Sequence, residues 1–135
     1  MYSSFSATGG SWSMRLNAKN YLFVYGTLKR GGSRHWIIED FPFLGRAKAK
    51  GFALYDLGPY PAMVPGAGVV YGEVYEVSEE ALQALDWVEG VPFLYRRELI
   101  EVVFEDGLSL KAWSYIYNGS VKGFPRIEDG EWKVL

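Results

Sequence analysis

The apolar residues of this chain are parcelled into strand-length runs cut by glycine and proline, and only one longer stretch repeats at helical spacing. That pattern restricts the fold more than any single residue does. Tyr21-Leu22-Phe23-Val24 is an unbroken apolar run and reads as a central strand over 21–25, buried on both faces. Residues 48–57 alternate loosely through Ala49, Phe52 and Leu54 and predict a strand. Gly58-Pro59-Tyr60-Pro61 is a turn by its glycine and proline content. A short strand over 62–64 is expected to stop at Pro65-Gly66. The next strand, 69–77, alternates, with Val69, Tyr71, Glu73, Tyr75 and Val77 as the expected inward face and Glu73 in need of a partner. Strands over 95–104 and 109–117 flank Glu105-Asp106-Gly107, a strong hairpin signal. Beyond Gly119 the chain reads as irregular.

The helical stretch is bracketed by its own signals. Ser78 is a good N-cap, Glu79 and Glu80 suit the positive end of the helix dipole, and Ala81, Leu82, Leu85 and Val88 form the apolar stripe. Gly90 is the natural stop, and Pro92 prevents resumption. A second, short helix is expected over 34–40, capped by Ser33, with Trp36 and Ile37 facing inward. Mostly antiparallel strands interrupted by two helices define an α+β fold, and five or six short strands in one small domain tend to curl into a β-barrel that leaves no open edge.

Composition narrows the function classes. At 135 residues the chain fits one domain with room for a core, and 49% hydrophobic content argues for a packed fold. The net charge is −2, and the longest basic runs are the pairs Lys29-Arg30 and Arg96-Arg97, so no nucleic-acid partner is expected. The absence of cysteine rules out disulfides, thiolate zinc ligands and thiol catalysis, and a reducing cytoplasm fits it. No apolar run approaches the ~20 residues of a helical membrane span, so no membrane partner is expected either. Residues 1–13 are rich in Ser and Gly without the apolar stretch of a secretory signal, and Met14 offers a second start. Residues 1–19 are expected to be a flexible extension, native or appended, ahead of a single domain over 20–135.

The chemistry concentrates at two places. After the first strand comes Tyr25-Gly26-Thr27-Leu28-Lys29-Arg30, then Gly31-Gly32: a turn suited to presenting backbone N–H groups to an anion or oxyanion. Such turns are common and most bind nothing. Gly26 and Gly31 have the spacing of a phosphate loop, but Gly32-Ser33 follows where Lys-Ser is required, so the nucleotide reading fails. The second place is Glu89, in the last helical turn, where unpaired carbonyls disfavour an anion and raise a carboxyl pKa. A raised glutamate suits a general base or acid near neutral pH. A solvated surface glutamate would also tolerate the position, at a cost of about 0.3–1 kcal/mol. Asp86 lies on the same face, able to add negative potential or to bond nearby backbone. His35 is the only histidine, so neither a zinc site nor a Ser-His-Asp triad is expected. Tyr95, Tyr115, Tyr117, Trp87 and Trp113 are more often core than site, although a tyrosine hydroxyl can orient a polar substrate.

The ordered set Tyr-Gly-Thr-Leu-Lys-Arg-Gly at 25–31, Tyr-Pro at 60–61, Gly-Glu-Val-Tyr at 72–75, Leu-Asp-x-x-Glu-Gly at 85–90, Tyr-x-Arg at 95–97 and an aromatic strand end at Tyr117 resembles the gamma-glutamylcyclotransferase-like family, nearest its gamma-glutamylamine cyclotransferase branch. The resemblance covers roughly residues 20 to 118. It implies a small mixed barrel flanked by short helices, with a cavity at one mouth. It implies a cofactor-independent, metal-free acyl transfer in which the α-amine of a γ-glutamyl group attacks its own γ-carbonyl, giving 5-oxoproline and a free amine or amino acid. The family's catalytic glutamate falls on Glu89, its substrate-holding loop on Tyr25, Gly26, Thr27 and Leu28, and its pocket tyrosines on Tyr95 and Tyr117. Arg97 reads as structural, paired with Asp86 or Glu73. The wall around residues 60–68 is expected to choose the leaving half. The partner is then a small γ-glutamyl compound, with oligomeric state left open. A binding module that keeps the cavity without turnover, or an interaction protein using its aromatics, are the rival readings.

Overall fold

The computed structural model describes residues 19–134, so the extension expected over 1–19 lies, except for Lys19, outside the described residues. Five strands form a closed barrel: β1 (Asn20–Val24), β2 (Phe43–Asp56), β3 (Pro61–Val77), β4 (Tyr95–Phe104) and β5 (Ser109–Tyr117), arranged around the barrel as β1-β3-β2-β4-β5. One helix, α1 (Glu79–Val88), follows β3. All strand pairs are antiparallel except β1 with β5, which meet in parallel at Leu22↔Trp113 and close the ring. The mostly antiparallel barrel expected from the strand pattern, mixed as the resemblance implies, is the architecture observed.

The unbroken apolar character of β1 has a direct cause. Phe23 points into the barrel core with Ala49, Leu54, Met63, Val70, Val74, Val102 and Ile116. Its neighbours Leu22 and Val24 point outward, into a second core with Tyr75, Val77, Leu82, Leu85, Tyr95 and Tyr115. Alternate residues of one strand therefore serve two cores, and none can be polar. Helix α1 roofs the second core. Ser78 caps it, its Oγ accepting from the Ala81 N–H at 3.1 Å, and Leu82 and Leu85 are fully buried. Gly90, at φ +69°, ends it in the left-handed conformation that favours glycine. The helix is also bolted down electrostatically. Asp86 accepts from Arg97 Nε at 2.7 Å and Nη2 at 3.0 Å, and from the Tyr115 hydroxyl at 2.8 Å. Arg97 is thus Asp86's partner, while Glu73 accepts from the Arg30 backbone N–H and the Tyr75 hydroxyl, each at 2.9 Å.

Several expectations need correction. The inward face of 69–77 is the opposite one: Val70, Gly72 and Val74 are buried in the barrel, and Tyr71 is exposed. Counting apolar residues misjudged Gly72, which is small because a Cβ there would fall on the Val24 carbonyl oxygen and 2.9 Å from the Phe23 ring. Tyr75 and Val77, on the other face, are buried by the second core. The strand does not stop at Pro65-Gly66 either: β3 runs unbroken across both, paired with a β2 that starts at Phe43 rather than Lys48. Pro65 lies opposite Phe52, beside a register shift at Lys50/Phe52, where a missing N–H is tolerated. The helix expected over 34–40 is a single 3-10 turn, His35–Ile37, with no side-chain cap from Ser33. Trp36 is 69% exposed, and Ile38, one position beyond the expected pair, is fully buried instead. The Arg34 N–H, at the N-cap of the turn, donates to the Thr27 carbonyl at 2.9 Å, which ties the turn to the segment after β1. Val88, expected in the helix stripe, is part exposed.

Residues 118–134 have no regular strand but cross from the β2 edge, where Ile127 N–H donates to Leu54 O at 2.8 Å, to the β3 edge, where Gly130 O accepts from Tyr71 N–H at 2.9 Å. Ile127 and Trp132 pack on the barrel core. The segment is locked by Lys29, only 4% exposed, whose Nζ donates to Glu131 Oε2 and to the Trp132 carbonyl, each at 2.6 Å. Arg46 Nη2 reaches the other Glu131 oxygen at 2.6 Å. Burial alone would raise the Glu131 carboxyl, but the Lys29 and Arg46 hydrogen bonds together hold it below the ordinary 4.5. A carboxyl lowered on folding stabilises the native state above its unfolded pKa and loses that contribution as pH falls through the folded value. Glu131→Gln should therefore lower the thermal midpoint at pH 7, and the gap from wild type should shrink as pH drops below 4.5. A pH-independent gap would contradict the lock.

Candidate active site

The turn after β1 is held by its own carbonyls. Gly26 O accepts from Lys29 N–H, Lys29 O from Gly32 N–H and Thr27 O from Arg34 N–H. Leu28 O lies 2.9 Å from His35 Nδ1. With the carbonyls committed inward, the N–H groups of Thr27 and Leu28 have no hydrogen-bond partner among the described residues. Unpaired, adjacent N–H groups make an anion-binding concavity. Gly26 is fixed by close approach: a Cβ there would lie 2.7 Å from Pro61 Cγ. Pro61 in turn accepts the Tyr95 hydroxyl hydrogen bond through its carbonyl at 2.9 Å.

Gly26, Thr27, Leu28, Pro61 and Tyr95 line a cleft, part of it open to solvent, together with Arg34, Tyr60, Val88, Glu89, Leu94 and Tyr115. The structure thus brings Glu89 together with Tyr25, Gly26, Thr27, Leu28 and Tyr95. Tyr117 is not among the lining residues; its ring stands edge-on to Tyr95 at 5.4 Å. Of the stretch 60–68, Tyr60 and Pro61 line the cleft, and 65–68 are exposed in β3. Tyr25 donates its hydroxyl to the Tyr115 carbonyl at 2.6 Å, so both Tyr25 and Tyr95 use their protons to hold the walls. Burial, reinforced by neighbouring tyrosines and Glu89, raises both phenols well above their ordinary value and keeps them neutral.

Glu89 is the C-cap residue of α1, its side chain 11% exposed. Burial raises its carboxyl above the ordinary 4.5, and the Arg34 guanidinium, 3.1 Å from Oε2 through Nη1, pulls the other way without winning. The helix-end location expected for this glutamate is the one observed, and burial in the cleft is what raises its carboxyl. Arg34 is the cleft residue that sequence reasoning missed. Its partner lies 55 positions away, and nothing local marks it. A carboxyl kept basic beside unpaired backbone donors can move a proton and stabilise negative charge within one cavity. Among the described residues no group of His, Asp and Glu side chains could hold a metal ion.

The closed five-stranded barrel thus carries the Glu89 carboxyl and the Tyr-Gly-Thr-Leu turn on one cleft. Residues 22–134 match the profile of the family described as gamma-glutamyl cyclotransferase, AIG2-like. A Vibrio cholerae protein provisionally named a gamma-glutamylcyclotransferase is 43% identical over 115 residues, 84% of this chain and 96% of its own length. The gamma-glutamylcyclotransferase family protein YtfP of Escherichia coli K12 is 38% identical over 112 residues, 82% of this chain and 94% of its own. The crystal structure of an AIG2-like protein from Mus musculus superposes with a TM-score of 0.72 at 34% identity, over 82% of this chain and 86% of that one. This chain belongs to the gamma-glutamyl cyclotransferase, AIG2-like family. No helix among the described residues is long and apolar enough to cross a membrane.

Two outcomes check the geometry. The Glu89 carboxyl carbon, followed by NMR, should titrate above 4.5, and Arg34→Gln should move it higher by removing the opposing cation; a midpoint at or below 4.5 in the wild type would contradict its burial. Gly26→Ala should push against the Pro61 ring and cost about 1–3 kcal/mol of stability, as overpacking does, seen as a lower denaturation midpoint; an unchanged midpoint would show that the approach is looser than described.

Proposed function

We propose that this protein is a cofactor-independent cyclotransferase that converts a γ-glutamyl amine or γ-glutamyl amino acid into 5-oxoproline and the free amine. By motif order it stands nearest the gamma-glutamylamine branch. The observation that carries the reading is the placement of Glu89 on one cleft with the unpaired Thr27 and Leu28 amides.

The chemistry follows from what the substrate lacks. Its α-amine is an ammonium at neutral pH and cannot attack until a proton leaves. Glu89 takes that proton. The amine nitrogen forms a bond to the γ-carbonyl carbon, closing a five-membered ring, and the carbonyl oxygen becomes an oxyanion. The free amides of Thr27 and Leu28 are the donors available to the substrate's negative charge, and a preorganised donor of this kind contributes ~10²–10³-fold. The oxyanion re-forms the carbonyl as the bond from the γ-carbon to the leaving nitrogen breaks; Glu89 returns its proton to that nitrogen, and the ring nitrogen gives up its second proton to solvent, leaving a neutral lactam and the free amine. The nucleophile belongs to the substrate, which is why no serine or cysteine nucleophile is needed. Folding the glutamyl chain until its ends meet is an entropic problem, and a cleft with Tyr60, Tyr95 and Pro61 on its sides addresses it.

The test is turnover of γ-glutamyl compounds read as 5-oxoproline. Glu89→Gln keeps the shape of the side chain and should fold normally while losing ~10²–10⁴-fold in rate, the usual worth of general acid–base catalysis. An equally active Gln variant would remove the glutamate from the reaction. Retained ligand binding without 5-oxoproline in the wild type would favour the binding module instead.

A further inference from the structure

Among the described residues lining the cleft, Arg34 is the only one with a cationic side chain. It spends little of its capacity. A guanidinium carries five N–H donors, and the one side-chain hydrogen bond that Arg34 makes among the described residues runs from Nη1 to a single oxygen of Glu89. Its backbone is anchored, the N–H tied to Thr27 O at 2.9 Å and the carbonyl accepting from Ile37 N–H at 3.1 Å. The root of the side chain is therefore fixed relative to the turn, while the side chain as a whole is 40% exposed against 11% for Glu89. Arg34 thus stands on the solvent side of the acid, at the rim, with part-exposed Val88 and Leu94 also lining the cleft.

Resting on the cyclotransferase reading above, we propose that Arg34 selects the leaving half of the substrate, by forming a charge-assisted pair with a carboxylate carried on the carbon attached to the leaving nitrogen. The placement favours this half over the other. The glutamyl half must fold inside the cleft, where the unpaired Thr27 and Leu28 amides already offer donors to its negative charge. The departing nitrogen collects its proton from Glu89, whose carboxyl lies 3.1 Å from Arg34 Nη1, so the group carried on that nitrogen lies on the guanidinium's side of the cleft. A carboxylate two bonds from that nitrogen comes within reach of the unused guanidinium donors, whose planar fork suits a carboxylate. A simple amine offers them nothing. This chain's preference is then for γ-glutamyl amino acids with a free α-carboxylate over γ-glutamyl alkylamines, against the gamma-glutamylamine branch that motif order alone suggests.

The experiment compares γ-glutamyl-alanine with its C-terminal amide, which differ only in that charge. For the wild type, kcat/KM should favour the acid, and Arg34→Gln should lower the acid-to-amide ratio by about tenfold or more, the scale of one charged hydrogen bond at a part-exposed site. Arg34→Lys should restore part of the ratio. Because the readout is a ratio, any common effect of the substitution on Glu89 cancels. If both compounds yield 5-oxoproline with the same ratio in wild type and Arg34→Gln, the selection role is overturned and the cyclotransferase reading stands. An equal loss on both compounds, as a shared effect through Glu89 would give, would also overturn it. If neither compound is turned over, calorimetric binding to Glu89→Gln and to the Glu89→Gln, Arg34→Gln double variant decides. A preference for the acid that vanishes with Arg34 supports the assignment, and equal affinities refute it.

Discussion

The anchoring of α1 on the barrel is the constraint from which the site follows. Leu82 and Leu85 bury the helix against the outward face of β1, and Asp86 fixes its rotation and height through the Arg97 fork and the Tyr115 hydroxyl. Three residues later the helix ends, and Glu89 emerges at the cleft rather than in solvent. A partly buried ion pair of this kind is weak evidence of stability in itself, because desolvation offsets its attraction. Here it orients. Its two ends, on α1 and β4, hold in register two elements that both contribute to the cleft, Glu89 from one and Tyr95 from the other.

The opposite wall depends on a different economy of space. Gly26 lets the turn lie against Pro61, and the Pro61 carbonyl receives Tyr95. Lys29, four residues after Tyr25, points the other way and secures the chain's last stretch through Glu131 and Trp132. One short segment therefore shapes the cleft on one side and fastens the barrel's covering segment on the other. That explains why a lysine is found buried there: its charge is met by a carboxylate and a carbonyl together.

Local signals were legible in the sequence and long-range ones were not. Ser78, the two glutamates after it and Gly90 bracket the helix to the residue, because caps act over one turn of chain. Asp106-Gly107 marks the β4–β5 hairpin for the same reason. Glu89 stood out because a carboxylate at a helix C-terminus breaks a local preference. The inward face of β3 was misread because closure into a barrel, which decides it, is a property of five strands, and because Gly72 carries no hydropathy signal while filling a tight crossing. Pro65 misled as a strand stop because the register shift that accommodates it belongs to β2. The 3-10 turn stands where a helix was expected, and its N-cap amide is tied to Thr27, a contact that no local signal marks. Arg34 itself, like the burial of Lys29, rests on partners far along the chain, and no spacing rule reaches that distance.

The central claim is that one cavity places the Glu89 carboxyl and the amides of the turn at 26–28 on the same small molecule. Titrating 5-oxoproline into isotope-labelled protein and following backbone amide and carboxyl shifts tests it most directly. The account predicts saturable shifts of the Thr27 and Leu28 amides together with the Glu89 carboxyl carbon, on a common binding curve. Shifts confined to the far surfaces of β2 and β4 around Lys48 and Val103, with the turn and Glu89 unmoved, would contradict it.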